Sequence, residues 1–337
     1  MSPATRWYRT ALVALLAAGA APAAAQRDST PGPRITHSLI YHDQLRRVIL
    51  VDGYASPQMP DSTELWSWDG AVWSRLPGAG PTARSASAAV YDTQRDRLML
   101  WGGWVGKQGG LRNDTWEWDG ARWRAGSDST PRPRGHFAMA YDEARGVTLM
   151  FGGDDRSGPA WPSNSWSWNG INWRQVATAG PPGRAVTAMA YDSKHKVVLL
   201  FGGVGLSPAE GQPQPSFGDT WVWNGQSWLQ RAVTGPSPRN RHAMTFDRRA
   251  GVVLLYGGNS GGRAGMSEEH GDMWQWDGEH WTEIPLTGPT PGPRSLHAMA
   301  YDAARGVTVL YGGSSNGELM SDTWEWDGHR WQRIIPR

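Results

Sequence analysis

The segment Asp114–Trp123 reads DTWEWDGARW, with tryptophans at 116, 118 and 123. The same spacing recurs as Trp66/Trp68/Trp73, Trp166/Trp168/Trp173, Trp221/Trp223/Trp228, Trp274/Trp276/Trp281 and Trp324/Trp326/Trp331. These six copies hold eighteen of the 22 tryptophans. A feature repeated about every 50 residues implies a repeat architecture, in which no unit buries its apolar side alone. Each unit opens with an arginine beside or near a proline: Arg34, Arg84, Arg134, Arg184, Arg239 and Arg294. Eighteen residues later comes a glycine pair, from Gly102-Gly103 to Gly312-Gly313, replaced in the first unit by Asp52-Gly53. From that position to the first tryptophan the interval runs from twelve to nineteen residues, and this is the main source of length variation.

Four short strands fit each unit. Strand A is the run exemplified by His136 to Tyr141. Strand B, Val147 to Phe151, carries the branched and aromatic residues that suit a half-buried pleated surface. Strands C and D carry two tryptophans and one. The Asp-Gly or Asn-Gly between them predicts a two-residue type I′ hairpin. In that register Trp116 faces Trp123, Trp118 faces Ala121, and Glu117 pairs with Arg122, as Glu325 does with Arg330. All three indoles then share one side of the sheet. An indole removes roughly 150–250 Å² from water on burial, so eighteen of them make a large part of any core. Six such units stack most simply into a closed ring. No sustained helical period exists outside the N-terminal segment.

This pattern resembles the kelch-repeat β-propellers, whose blades have a strand ending in Gly-Gly, then an aromatic, then a tryptophan. The resemblance spans residues 34 to 335. It implies an all-β, six-bladed β-propeller with blades at about 34–79, 80–129, 130–179, 180–234, 235–287 and 288–337. Blade one supplies its own four strands and the chain ends on strand D of blade six. Closure is therefore expected without strand exchange between the termini. Two departures stand out: Trp118 and its equivalents replace the usual tyrosine, and Asp52 interrupts the glycine pair.

Residues 1–25 have the layout of an export signal: Arg6 and Arg9, an apolar Thr10–Ala20 run, and Ala23-Ala24-Ala25 before Gln26. That apolar run is shorter than the roughly 20 residues of a spanning helix, so no membrane insertion is expected after cleavage. The destination read from it is secreted or periplasmic. Without residues 1–25 the chain has 31 basic and 31 acidic residues, a balance that removes the charge argument for nucleic acid. The absence of cysteine excludes disulfides and the cysteine-linked tyrosine of the copper–radical oxidases that share this propeller type. The Ser-x-Asp-x-Gly core of sialidase-type propellers is missing. Two GxSxG matches, Gly258–Gly262 and Gly313–Gly317, lack the following helix that a nucleophile elbow requires.

What repeats in every unit reads as architecture, and what breaks the repeat marks where function could sit. The arginines, facing Glu64, Asp114, Asn164, Asp219, Asp272 and Asp322 at the start of strand C, read first as a structural ion-pair series. The alternative has Arg184, Arg239, Arg241 and Arg294 at a channel mouth, gripping an anionic sugar or acidic peptide. The kelch resemblance implies such arginines in some members. His242 and His297, with His37, follow the arginine in three units only. Tyr54, Trp104, Trp161 and Phe217 are aromatics in the irregular B–C loops, suited to stacking on a sugar or filling an interface. Glu268, Glu269, His270 and Asp272 have metal-like composition but no defined metal-site spacing, and no cofactor is expected. The leading expectation is a scaffold that offers its B–C/D–A loop face to a protein or carbohydrate. The alternative is a sugar-modifying enzyme such as a periplasmic mutarotase or epimerase, with Arg184, Arg239, Arg241, Glu268 and His242 as its candidates.

Overall fold

The computed structural model describes residues 30–53, 63–106, 109–126, 131–156, 158, 160–207, 214–261 and 268–336. It is an all-β, six-bladed propeller of four-stranded antiparallel blades. Blade three is representative: strands Ala138–Asp142, Val147–Phe151, Ser165–Trp168 and Trp173–Ala177 pair in sequence order. Strand A is innermost and strand D outermost. Blade one is built from Ser38–His42, Arg47–Val51, Leu65–Trp68 and Trp73–Arg75, and blade six ends on Trp331–Ile334. The ring thus closes between two complete blades, with no strand exchanged between the termini among the described residues. No helix among the described residues is long and apolar enough to cross a membrane.

The core lies between blades. Strand B is buried along most of its length, as in Val48–Val51 and Val198–Phe201, because one side packs on each neighbouring blade. The closing interface resembles the others: Leu39, Val48, Leu50 and Trp68 of blade one pack with Ala298, Val309 and Tyr311 of blade six. Trp73 Nε1 donates to Thr323 Oγ1 at 3.0 Å, and Trp68 Nε1 donates to Glu325 Oε1 at 2.8 Å across that seam. The first bond repeats at three further interfaces, Trp173 to Thr115, Trp228 to Ser165 and Trp281 to Thr220, at 2.8–3.1 Å.

The C–D hairpin differs from the expected register. Trp118 pairs with Trp123, Glu117 with Arg124 and Trp116 with Ala125, so the loop has four residues, Asp119 to Arg122. A type I′ turn needs positive φ at both centres, yet only Gly120 (φ 92°) adopts it. Asp119 Oδ1 instead accepts the N–H groups of Ala121 and Arg122 at 3.1 and 2.8 Å, an Asx turn that captures the chain before the tighter turn can form. The three tryptophans still share one side, but Trp118 is the buried member while Trp116 and Trp123 are half-buried. The expected Glu117/Arg122 and Glu325/Arg330 pairs give way to Arg95–Glu117 and Arg305–Glu325, both 2.6 Å. These link the A–B turn to strand C.

The glycine pair has a sharper cause than space for a ring. Both members take left-handed φ, 65° and 95° at Gly257 and Gly258, which favours glycine. The next blade's backbone also presses against them: a Cβ on Gly257 would stand 2.7 Å from the Arg294 carbonyl. That carbonyl accepts the Gly258 N–H at 2.9 Å, and the bond recurs from Gly103 to Arg134, Gly153 to Arg184, Gly203 to Arg239 and Gly313 to Arg34.

Candidate functional site at one channel mouth

Six equivalent residues carry the chain from the loop face into the innermost strands: Thr36, Ala86, His136, Val186, Arg241 and Leu296. All six have left-handed φ, between 48° and 59°. Such a conformation costs of order 1–3 kcal/mol for a non-glycine residue and persists only where the surroundings impose it. Here the constraint is a belt of hydrogen bonds around the channel. Thr36 N–H donates to Leu296, Leu296 to Arg241, Arg241 to Val186, Val186 to His136 and His136 to Ala86, at 2.8–3.3 Å. The backbone of the belt is repetitive while its side chains are not. They line a cavity of about 130 Å³ at this mouth, together with His37, His242 and His297.

Among the described residues Arg241 is the one arginine or lysine of that lining. Its Nη1 donates to Asn240 Oδ1 at 2.8 Å and reaches Asn259 Oδ1 at 3.5 Å. These are amide oxygens, and no carboxylate pairs with Arg241 among the described residues. Burial lowers its pKa from the usual arginine value, while the group stays charged at neutral pH. His136 projects exposed into the same mouth. Enclosure by protein lowers its pKa, with Arg241 adding to the effect. The mouth therefore offers one uncompensated guanidinium beside a neutral imidazole, a combination suited to an anionic or hydrogen-bond-accepting group. Sequence reasoning singled out Arg241 but took His136 only as the start of a strand A run. Its left-handed φ, invisible in the sequence, is what turns it into the lumen.

The other arginines are occupied. Arg184 is fully buried and donates to Gly202 O at 2.9 Å and to both Asp219 oxygens at 2.5 and 2.8 Å. Arg239 is bound likewise by Gly257 and Asp272, and Arg294 by Gly312 and Asp322. Each guanidinium thus ties its strand A entry to the end of strand B and the start of strand C, and the geometry leaves none of the three facing the channel. His242 and His297 are buried wedges between blades, ring-edge-on to Phe201 and Tyr256. Burial pushes His242 down to about 3 and His297 well below its ordinary value.

The B–C loop residues are dispersed over the same face. Phe217 lies 4.0 Å under the Arg184 guanidinium and shields it. Trp104 donates to Gly106 O at 2.9 Å and carries Arg156 4.2 Å over its ring. Trp161 is half-buried, with its carbonyl against Gly183. Glu268 is exposed on a two-residue ladder opposite Ser260. Its neighbour Glu269 accepts from Ser295 Oγ and Asn316 N, bridging blades five and six. Asp272, the last acid of the metal-like loop, is committed to Arg239 and Trp274. Tyr54 lies outside the described residues.

The opposite mouth was not anticipated. A cavity of about 220 Å³ there is ringed by Tyr41, Tyr91, Tyr141, Tyr191, Phe246 and Tyr301. Because that aromatic recurs in every unit, it reads from sequence as architecture alone.

A family profile described as KLHDC2/KLHL20/DRC7 Kelch-repeats domain matches residues 148–336, more than half of the chain. The chain belongs to the kelch-repeat family. No curated protein matches it. A solved structure titled "Structure of YjhT" superposes with a TM-score of 0.69 at 13% identity, covering 91% of this chain and 99% of that one. At that identity the likeness shows the fold of this kelch propeller and nothing further.

Proposed function

We propose that this kelch propeller is an exported binding scaffold that presents its B–C/D–A loop face to a protein or glycan, with the Arg241 mouth at the centre. The observation that carries the reading is the contrast among arginines: the repeat arginines Arg84, Arg184, Arg239 and Arg294 hold internal carboxylates, whereas Arg241 faces the lumen with only amide partners. Kelch propellers generally bind proteins, and the irregular loops that distinguish one blade from another lie on this face. Export rests on the composition of residues 1–25, which lie outside the described residues. An activity on sugars gains no support from the placement of its candidates: of Arg184, Arg239, Arg241, Glu268 and His242, only Arg241 and His242 line the mouth.

The test is a glycan array and proximity cross-linking in the native envelope fraction, run with the wild type and Arg241→Ala. We expect a partner whose affinity falls at least tenfold in the variant, about 1.4 kcal/mol. Undiminished binding by Arg241→Ala would remove the mouth from the interaction.

A further inference from the structure

The arginine-to-acid rule fails in one blade. In blades two, four, five and six, strand C begins with an aspartate that receives two groups. The repeat arginine donates to both of its oxygens at 2.5–3.1 Å. The first tryptophan of the triplet donates its Nε1 to the same carboxylate at 2.7 Å. Blade one keeps the acid as Glu64, which takes both donors at 3.5 Å. Blade three has Asn164 in this position.

The consequences are visible at every donor. Arg134, only 2% exposed, reaches Asn164 Oδ1 through Nη1 at a long 3.4 Å, and its Nη2 meets no acceptor among the described residues. Trp166 Nε1 is buried and has no hydrogen-bond partner among the described residues. Asn164 offers one oxygen where the other blades offer two, and its amide nitrogen is itself a donor. The buried guanidinium here lacks the strand C carboxylate that the other five blades supply, which is a costly arrangement unless another acceptor takes its place. Burial pushes Arg134 down to about 10; the Asp155 carboxylate on the same cavity wall opposes that shift, and Arg132 adds to it.

Next to this defect is space. A cavity of about 470 Å³ is lined by Arg132, Arg134, Asp155, Asn164 and Trp166 on its polar side, with Pro131, Ala160 and Pro162 among its apolar walls. Its size falls in the range of small-molecule sites. We propose that this blade-three cavity binds a small carboxylate-bearing ligand, whose carboxylate supplies the charge that Asn164 withholds from Arg134. A carboxylate is favoured over a larger oxyanion because the same cradle holds a carboxylate in the other five blades. The apolar walls suit a compact, uncharged body attached to it. Asp155 is the only carboxylate on the lining among the described residues and works against the ligand. The site stands apart from the channel mouth and does not depend on Arg241.

The experiment measures thermal stability and calorimetric binding of the full chain at constant ionic strength. Acetate and benzoate are the probes, and acetamide and benzamide are their neutral isosteres. Both carboxylates are expected to bind and raise Tm, with the amides without effect. Asn164→Asp installs the internal carboxylate, so it should raise the ligand-free Tm and weaken carboxylate binding at least tenfold. Trp166→Phe keeps an aromatic ring but loses the N–H and should weaken binding several-fold. Asp155→Asn should leave binding intact or tighten it, and Arg241→Ala should leave it unchanged. Equal responses to acetate and acetamide, no response to either carboxylate, or full carboxylate binding by Asn164→Asp would each overturn the proposal.

Discussion

Asp52 shows how one residue can break a repeat and still be accommodated. It takes left-handed φ (59°) where the other blades use glycine, and its buried Oδ2 accepts the Arg84 N–H at 2.9 Å and the Thr63 hydroxyl at 3.2 Å. These bonds and two nearby arginines favour the carboxylate, yet desolvation outweighs them and raises its pKa from 3.8 to about 7. A raised acid pKa means that the folded chain holds a proton the unfolded chain has released between those two values. Stability is therefore lost as pH rises from about 4 to about 7, by at most about 1.4 kcal/mol per pH unit. Asp52→Asn keeps an oxygen for Arg84 and removes the titration. Urea unfolding from pH 4 to pH 8 should find the variant increasingly more stable than wild type toward pH 8. A constant difference across that range would contradict the burial argument.

At the scale of the element, the entry to strand A acts as a wedge between blades. His37, His242 and His297 fill it in blades one, five and six, and Phe137 fills it in blade three. His37 Nε2 lies 3.1 Å from the Tyr311 carbonyl, and burial lowers His37 and His242 to about 3. A lowered histidine pKa has the sign opposite to that of Asp52. The unfolded chain takes up protons below about 6.5 that the folded chain refuses, so stability falls as pH drops through 6.5 toward 3. Each histidine contributes a slope of up to about 1.4 kcal/mol per pH unit in that window. Replacing all three with phenylalanine, the residue blade three already uses, should flatten the loss of Tm between pH 7 and pH 4.5. An unchanged acid profile would show that these imidazoles are hydrated or protonated in the fold.

For the whole molecule, the seam between blades six and one decides whether the ring behaves as one cooperative body. The seam carries the Trp73–Thr323 hydrogen bond, equivalent to Trp173–Thr115 inside the ring, and both hydroxyls are buried. Thr323→Val and Thr115→Val each leave a buried indole N–H without an acceptor, at a cost of about 1–3 kcal/mol. Chemical denaturation should give similar losses for the two variants with an unchanged m-value. A much smaller loss at Thr323 would mean that the seam opens before the blades unfold.

Much of this fold is legible in the chain itself. Invariant spacing of Trp116, Trp118 and Trp123, together with the recurring glycine pair, determines six four-stranded blades, because each unit has one apolar side that only a neighbour can cover. The arginine series is equally legible as ion pairs, down to the neutral Asn164 in one blade. Three matters were decided only by tertiary structure. The hairpin register passed to an Asx turn at Asp119, since a side-chain oxygen outcompeted the turn type that Asp-Gly suggests. His136 and Arg241 became neighbours in one channel mouth because a belt of interblade hydrogen bonds holds their backbones left-handed, a constraint without a sequence signature. And the Asn164 substitution became a candidate site only because a cavity opens beside Arg134. Sequence spacing records which residues repeat. It does not record which donors are left facing empty space, because that depends on segments such as Arg134 and Asn164, 30 residues apart, closing around it.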